Sequence, residues 1–312
     1  MSSFIAAGTA CSTHQINCIP FYIFYSMFGF QRIGDLIWAA ADARAKGFLL
    51  GGTSGRSTLA GEGLQHQDGH SHVMALSNPA VRAYDPAYAY ELAVIIRDGM
   101  KKMFHDGEEV FYYITVMNEK YQMPGMPSRK GIEDEILSGM YKYKGSEKNE
   151  YNIHLLGSGS ILNEALKAAE ILKKDYNIFP DVWSVTGYKQ LYDNAIETER
   201  ANRVKETNKK SYIEKCMGNK KGIFIAASDY LKALPLSVSR WFPGSFTALG
   251  TDGFGLSDHR EELREHFEVD ARHIVWASLI RLREQNKIEK GTLDEAKKKL
   301  KISSDKESPT NI

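Results

Sequence analysis

Apolar runs no longer than a β-strand alternate along this chain with segments of helical period, and that alternation leaves few folds open. IPFYIFYSM (19–27) and EEVFYYITVMN (108–118) read as strands rich in aromatic and β-branched residues, and FLLGGTSG (48–55) as a short buried strand that breaks into a glycine loop. GDLIWAAADARAKG (34–47) and AYAYELAVIIRDGMKKMF (87–104) place apolar residues every three or four positions and read as helices. HVMALSNPAVRAYDP (72–86) reads as a short strand and turn. Strands recur at YNIHLLGSGS (151–160), PDVWSVTGY (180–188), KGIFIAASDY (221–230) and FTALGTDGFG (246–255), with helices at ILNEALKAAEILKKDYN (161–177) and DARHIVWASLIRLREQ (270–285). Such alternation predicts an α/β fold built on parallel sheets.

With 312 residues there is room for two domains, each able to bury its own core. The Pro-, Gly- and Lys-rich stretch that follows Met123 divides them. The expected organisation is a first domain over 1–130, a linker over 131–150, a second domain over 151–290 and a poorly ordered lysine-rich tail over 291–312. A charged helical stretch covers 191–220. SDHREELREHF (257–267) opens like a capped helix, with Ser257 in the cap position. SSFIAAGTA is helix-prone, and its abrupt start at Met1 suggests an absent N-terminal portion.

Composition narrows the function classes. A formal net charge of +1 gives no chain-wide electrostatic case for binding nucleic acid or an anionic membrane surface. The apolar run at 19–30 is too short for a membrane helix, and no signal-peptide pattern opens the chain. Three scattered cysteines, Cys11, Cys18 and Cys216, fit reduced thiols and a cytoplasmic setting better than a disulfide framework.

The segment GGTSGRSTLAGEGLQHQDGHSH (51–72) stands out between these apolar elements, with six glycines, three histidines, Glu62, Asp68 and Arg56. His66, His70, His72 and Asp68 have metal-ligating chemistry, but HxxxH shares a face only on a helix and the glycines argue against one. His66 beside Glu62 suits acid/base work, because imidazole titrates near neutrality. A solvated loop is the plain alternative. Two glycine turns invite a phosphate reading. GSGSILNEAL (157–166) follows a strand and opens a helix, yet Leu162 replaces the third glycine of a dinucleotide fingerprint. GTDGFG (250–255) lacks the spacing of a magnesium–diphosphate motif and reads as a turn. The aromatic run FYIFYSMFGFQR (21–32) is either core or a stacking platform for a flat cofactor.

IPFYIFYSMFGFQRIGDLIWAAADARAKGFLLGGTSGRSTLAGEGLQHQDGHSH resembles the homodimeric, thiamine-diphosphate-dependent decarboxylating component of the pyruvate dehydrogenase complex. DPAYAYELAVIIRDGM, YYITVMNEKYQMPGMP, LLGSGSIL and LGTDGFGLSDHREELREHFEVDA resemble the same family in the same order, from about residue 1 to about 280. The resemblance implies a partial pyrimidine-binding thiamine-enzyme domain followed by a transketolase-type C-terminal α/β domain.

It further implies roles for individual residues. Tyr25 and Phe28 match aromatic residues that pack around the cofactor's pyrimidine, and Tyr25 also matches a residue that reaches the substrate adduct. His66 matches a histidine that faces the adduct of pyruvate with the thiazolium carbon and assists proton transfer as a lipoyl group is acetylated. Glu62 and Arg32 lie in the same motifs as supporting positions. No metal site is implied here. The family's diphosphate and magnesium are held by a domain that this sequence lacks, and its catalytic glutamate falls just upstream of the first matching residue. The expected function is therefore part of an enzyme that decarboxylates pyruvate and passes acetyl to the lipoyl domain of a partner, inactive in this form alone. The alternative is a non-catalytic assembly subunit that pairs with a separate diphosphate-binding chain.

Overall fold

A computed structural model describes residues 1–146, 148–219 and 221–311. Among them, no helix is long and apolar enough to cross a membrane. The expected alternation is present as two sheets. The first contains β1 (Phe21–Tyr25), β2 (Phe48–Gly52), β3 (Val81–Tyr84) and β4 (Phe111–Thr115), all parallel, in the order β1-β2-β4-β3. The second contains β5 (Met140–Lys144), β6 (Ile153–Gly157), β7 (Asp181–Val185), β8 (Gly222–Ala227) and β9 (Gly244–Leu249) in the order β5-β7-β6-β8-β9, with only β5 antiparallel to its neighbour.

Parallel strands covered on both faces read as continuous apolar runs, and β4, β6, β7 and β8 are buried along their whole length. Side chains of successive residues point to opposite faces of the second sheet. Leu155 and Ile225 thus join one core with Leu172, Ile274 and Leu279 from the helices Ile161–Tyr176 and Ala271–Glu284. Their neighbours Leu156 and Phe224 enter another with Leu191, from the helix Tyr188–Lys205, and Trp241. The first sheet closes on the helices Phe30–Asp42 and Ala89–Met100 through Phe48, Phe111, Ile37 and Ile95. Its edge strand β1 keeps Phe21, Ile23 and Tyr25 exposed.

Four local expectations need correction. The stretch 131–150 is folded, with a helix at Ile132–Leu137 followed by β5. MYKYK has the alternation of an edge strand: Tyr141 is buried, and the side chains of Lys142 and Lys144 ion-pair with Asp181 and Glu170. The tail forms the helix Lys290–Lys299, because Leu293, Ala296 and Leu300 recur at helical spacing and are buried. The segment read as a strand from His72 begins as the helix Ser71–Ala75, since Asp68 accepts the amide protons of His70 and Ser71 at 2.9 Å each. The helix Arg260–His266 starts after His259, while the Ser257 hydroxyl donates to the Gly61 carbonyl at 3.0 Å.

Glu91 links the two sheets. It lies in the first turn of Ala89–Met100, is fully buried, and accepts from the Ala87 and Tyr88 amides. It also accepts from Tyr141 Oη at 2.6 Å and Ser184 Oγ at 2.7 Å, on two strands of the second sheet. Burial pushes its pKa up while these four donors favour the anion. Tyr141→Phe removes one donor from a buried carboxylate, at a cost of about 1–3 kcal/mol. Urea unfolding should show that loss; an unchanged midpoint would mean that β5 does not take part in the cooperative unit.

Candidate functional site

The five residues singled out from the sequence meet at one place. Tyr25 ends β1, Phe28 lies in the single turn Ser26–Phe28, and Arg32 is in the first turn of Phe30–Asp42. Glu62 and His66 flank the turn Gly63–Gln65, in the loop that leaves β2. The His66 ring centroid is 5.4 Å from that of Tyr25 and 5.2 Å from that of Phe28, and the two aromatic rings are 5.9 Å apart. Glu62 Oε2 lies 3.5 Å from His66 Nδ1, and the Arg32 guanidinium stands 5.0 Å over the Phe28 ring. These groups come from the loops after β1 and β2, at the carboxyl edge of a parallel sheet, where open α/β sheets bind ligands. Tyr25 remains 44% exposed and the His66 side chain 27% exposed, so both are reachable from solvent.

The other histidines of the glycine loop go elsewhere. Arg56 Nη2 donates to His70 Nδ1 at 3.2 Å, so that nitrogen is an acceptor and His70 is neutral. His72 is buried and lies 3.0 Å from Thr115 Oγ1; burial lowers its pKa to about 4. Asp68 serves the backbone of residues 70 and 71 and the Ser71 hydroxyl. Separate partners therefore divide the residues that might have gathered around a metal. Among the described residues no group of three or more His, Cys, Asp or Glu could hold one.

A solvated loop was the plain alternative, yet most polar residues of this loop are buried. Ser54, Ser57, Thr58, Gln67 and Asp68 are fully buried and Arg56 nearly so. Asp229, just beyond β8, accepts from the Ser57 amide and hydroxyl at 2.8 and 2.6 Å and from the Thr58 amide and hydroxyl at 3.0 and 2.5 Å. The Thr58 hydroxyl has one proton and gives it to Asp229, so the Ser160 hydroxyl 2.5 Å away is the donor of that pair. Arg56 donates to the carbonyls of Thr251 and Gly253, and Arg264 bridges Glu119 and Glu164. The turn 250–255 is thus a receptor for an arginine. The turn 157–160 is buried against the glycine loop, and its Gly159 amide donates to the Asp85 carbonyl at 3.1 Å. Neither turn presents an open cradle for phosphate.

Sequence reasoning missed Asp229, Arg264 and Asp85. The available signal was a polar residue just past the end of a parallel strand, as in AASDY and VRAYDP. Asp85 is buried between the sheets, accepting from Thr115 Oγ1 at 2.6 Å and Tyr230 Oη at 3.2 Å while its second oxygen has no hydrogen-bond partner. Burial pushes its pKa up to about 7, although the donors oppose the shift.

This fold and site define a class: an α/β thiamine-enzyme-type domain joined to a transketolase-type C-terminal domain. The family model for the pyruvate dehydrogenase E1 component middle domain matches residues 1–124, and that for the transketolase-like C-terminal domain matches residues 139–270. A transketolase from Campylobacter jejuni superposes with a TM-score of 0.63 at 17% identity, over 88% of this chain and 37% of its own. A split-gene transketolase, solved as an inactive β4 tetramer, gives 0.60 at 16% identity, over 88% of this chain and 79% of its own. Within that class the chain is homologous to the pyruvate dehydrogenase E1 components. The Pseudomonas aeruginosa E1 component is 51% identical across 99% of this chain. That match spans 35% of the relative's length, so the chain corresponds to about a third of it.

The raised pKa of Asp85 fixes the sign of one pH effect. Between pH 3.8, its ordinary value, and about 7 the folded state holds a proton that the unfolded chain has released. Stability contributed by Asp85 therefore falls as pH rises through that window, by up to ~4 kcal/mol, and levels off above it. Asp85→Asn should gain on the wild type between pH 5 and pH 8 in urea unfolding. A constant difference between the two proteins would show that Asp85 does not titrate there.

Proposed function

We propose that this chain supplies the pyrimidine-facing part of a thiamine-diphosphate site in a pyruvate dehydrogenase. The observation that carries the reading is the convergence of Tyr25, Phe28 and His66, with Glu62 and Arg32 beside them, at the carboxyl edge of the first sheet. The exposed ring of Tyr25 and the neighbouring Phe28 suit a flat heteroaromatic ring. Bound thiamine diphosphate supplies the electron sink that lets a 2-oxo acid lose carbon dioxide. Glu62 takes the Nδ1 side of His66, orienting the imidazole so that Nε2 can exchange a proton with substrate or with an incoming lipoyl group. Arg32 fixes the Phe28 ring from its outer face.

In this reading the diphosphate and its metal are held by another domain or chain. Pyruvate as substrate, a lipoyl domain as acetyl acceptor, a homodimeric complete enzyme and a cytoplasmic setting complete this reading. By itself the chain should give no carbon dioxide from pyruvate with thiamine diphosphate and magnesium. Turnover near that of a complete enzyme would overturn this expectation. Combined with the remaining portion of the P. aeruginosa relative, it should restore acetyl transfer to a lipoyl domain. His66→Ala should then lower that transfer about 10²-fold. Full transfer by the variant would remove His66 from the chemistry.

A second reading is an assembly subunit that pairs with a separate diphosphate-binding chain. It is favoured by the exposed edge of β1, where Ile23 is 69% exposed, and by the solved split-gene transketolase of similar extent. Co-purification with such a chain, without restored turnover, would select it.

A further inference from the structure

His66 sits in the first half of the chain, but the loop that carries it is held mainly from the second. Ser57 and Thr58 saturate both oxygens of Asp229 with four hydrogen bonds, all at 3.0 Å or less. Gly55, at φ +89°, brings the loop so close that a Cβ there would collide with the same carboxylate. Arg260 Nε donates to the Thr58 carbonyl at 2.6 Å, which fixes the peptide from its other side.

The nine positions from Thr58 to His66 form a closed unit. Gln67 Nε2 donates back to the Leu59 carbonyl at 2.6 Å, and its Oε1 accepts from the Leu256 amide at 2.7 Å. The Gly61 amide donates to the Asp258 carbonyl at 3.0 Å, and the His66 amide closes the turn onto Gly63. A shift at Ser57 and Thr58 therefore has no slack to absorb it before His66. Side chains in a built site are placed by such supporting bonds.

We propose that Asp229 is a positioning residue for His66: from the carboxyl end of β8 it sets where the imidazole lies between the Tyr25 and Phe28 rings. The proposal rests on the reading of His66 given above, but its test does not use activity. In the full chain, histidine-labelled for NMR, the His66 ring protons carry a ring-current displacement from two aromatic rings within 5.4 Å. Asp229→Asn turns one acceptor into an amide donor that faces N–H and O–H donors. It should remove much of that displacement. Ser57→Ala deletes one of the four bonds and should remove a smaller part. The signals of His273, held by Asp270 at 2.7 Å in the second sheet's layer, should stay in place in both variants. Unmoved His66 signals in folded Asp229→Asn would overturn the proposal, even if its unfolding midpoint fell. Should that variant not fold, unmoved signals in Ser57→Ala would overturn it instead. Failure of the acetyl-transfer experiment with intact ring signals would count against His66's chemistry and leave its positioning standing.

Discussion

Buried carboxylates tie the two sheets together, and one of them, Asp229, meets the loop of the candidate site. Asp229 lies at the end of a strand in the second sheet and receives every donor that Ser57 and Thr58 can offer from the first. Buried polar groups are tolerated only when paired, so this contact holds the halves in one register. Arg56 and Arg264 extend the same logic outward, the first to two carbonyls of the 250–255 turn, the second between Glu119 and Glu164. The interface is polar and mostly paired, and specificity of arrangement is what such networks supply.

That arrangement gives the site its character. One side presents two aromatic rings and an imidazole at the carboxyl edge of a parallel sheet. Among the described residues no group of three or more His, Cys, Asp or Glu could hold a metal ion. Two aromatic rings and an imidazole so placed suit the flat face of a ring.

Much of the fold was legible because apolar periodicity is a local property. The buried strands at 111–115, 153–157, 181–185 and 222–227 and the long helices all fall where the pattern puts them. Errors collected where local composition and tertiary role diverge. The Lys- and Tyr-rich stretch before residue 150 resembled a linker because each lysine faces solvent, yet the tyrosines between them build a strand. The lysine-rich tail hid its leucines in the same way. The candidate site residues were picked out by resemblance, on short motifs, and the structure brings those motifs together.

The glycine loop marks the division most clearly. By itself, the sequence determined that the chain turns after the strand at 48–55 and forms no long helix there, because glycines and short polar side chains favour turns. It determined the parallel α/β class by the same local reasoning. Only the tertiary structure decided that most of this polar segment is buried, that His70 and His72 turn inward, and that His66 alone of the three joins the aromatic pair. The partners that decide these matters are far away in the chain: Asp229 is 172 residues from Ser57, and Thr251 is 195 from Arg56. No local period encodes such a pairing. It arises when buried donors and acceptors must satisfy one another in the folded chain.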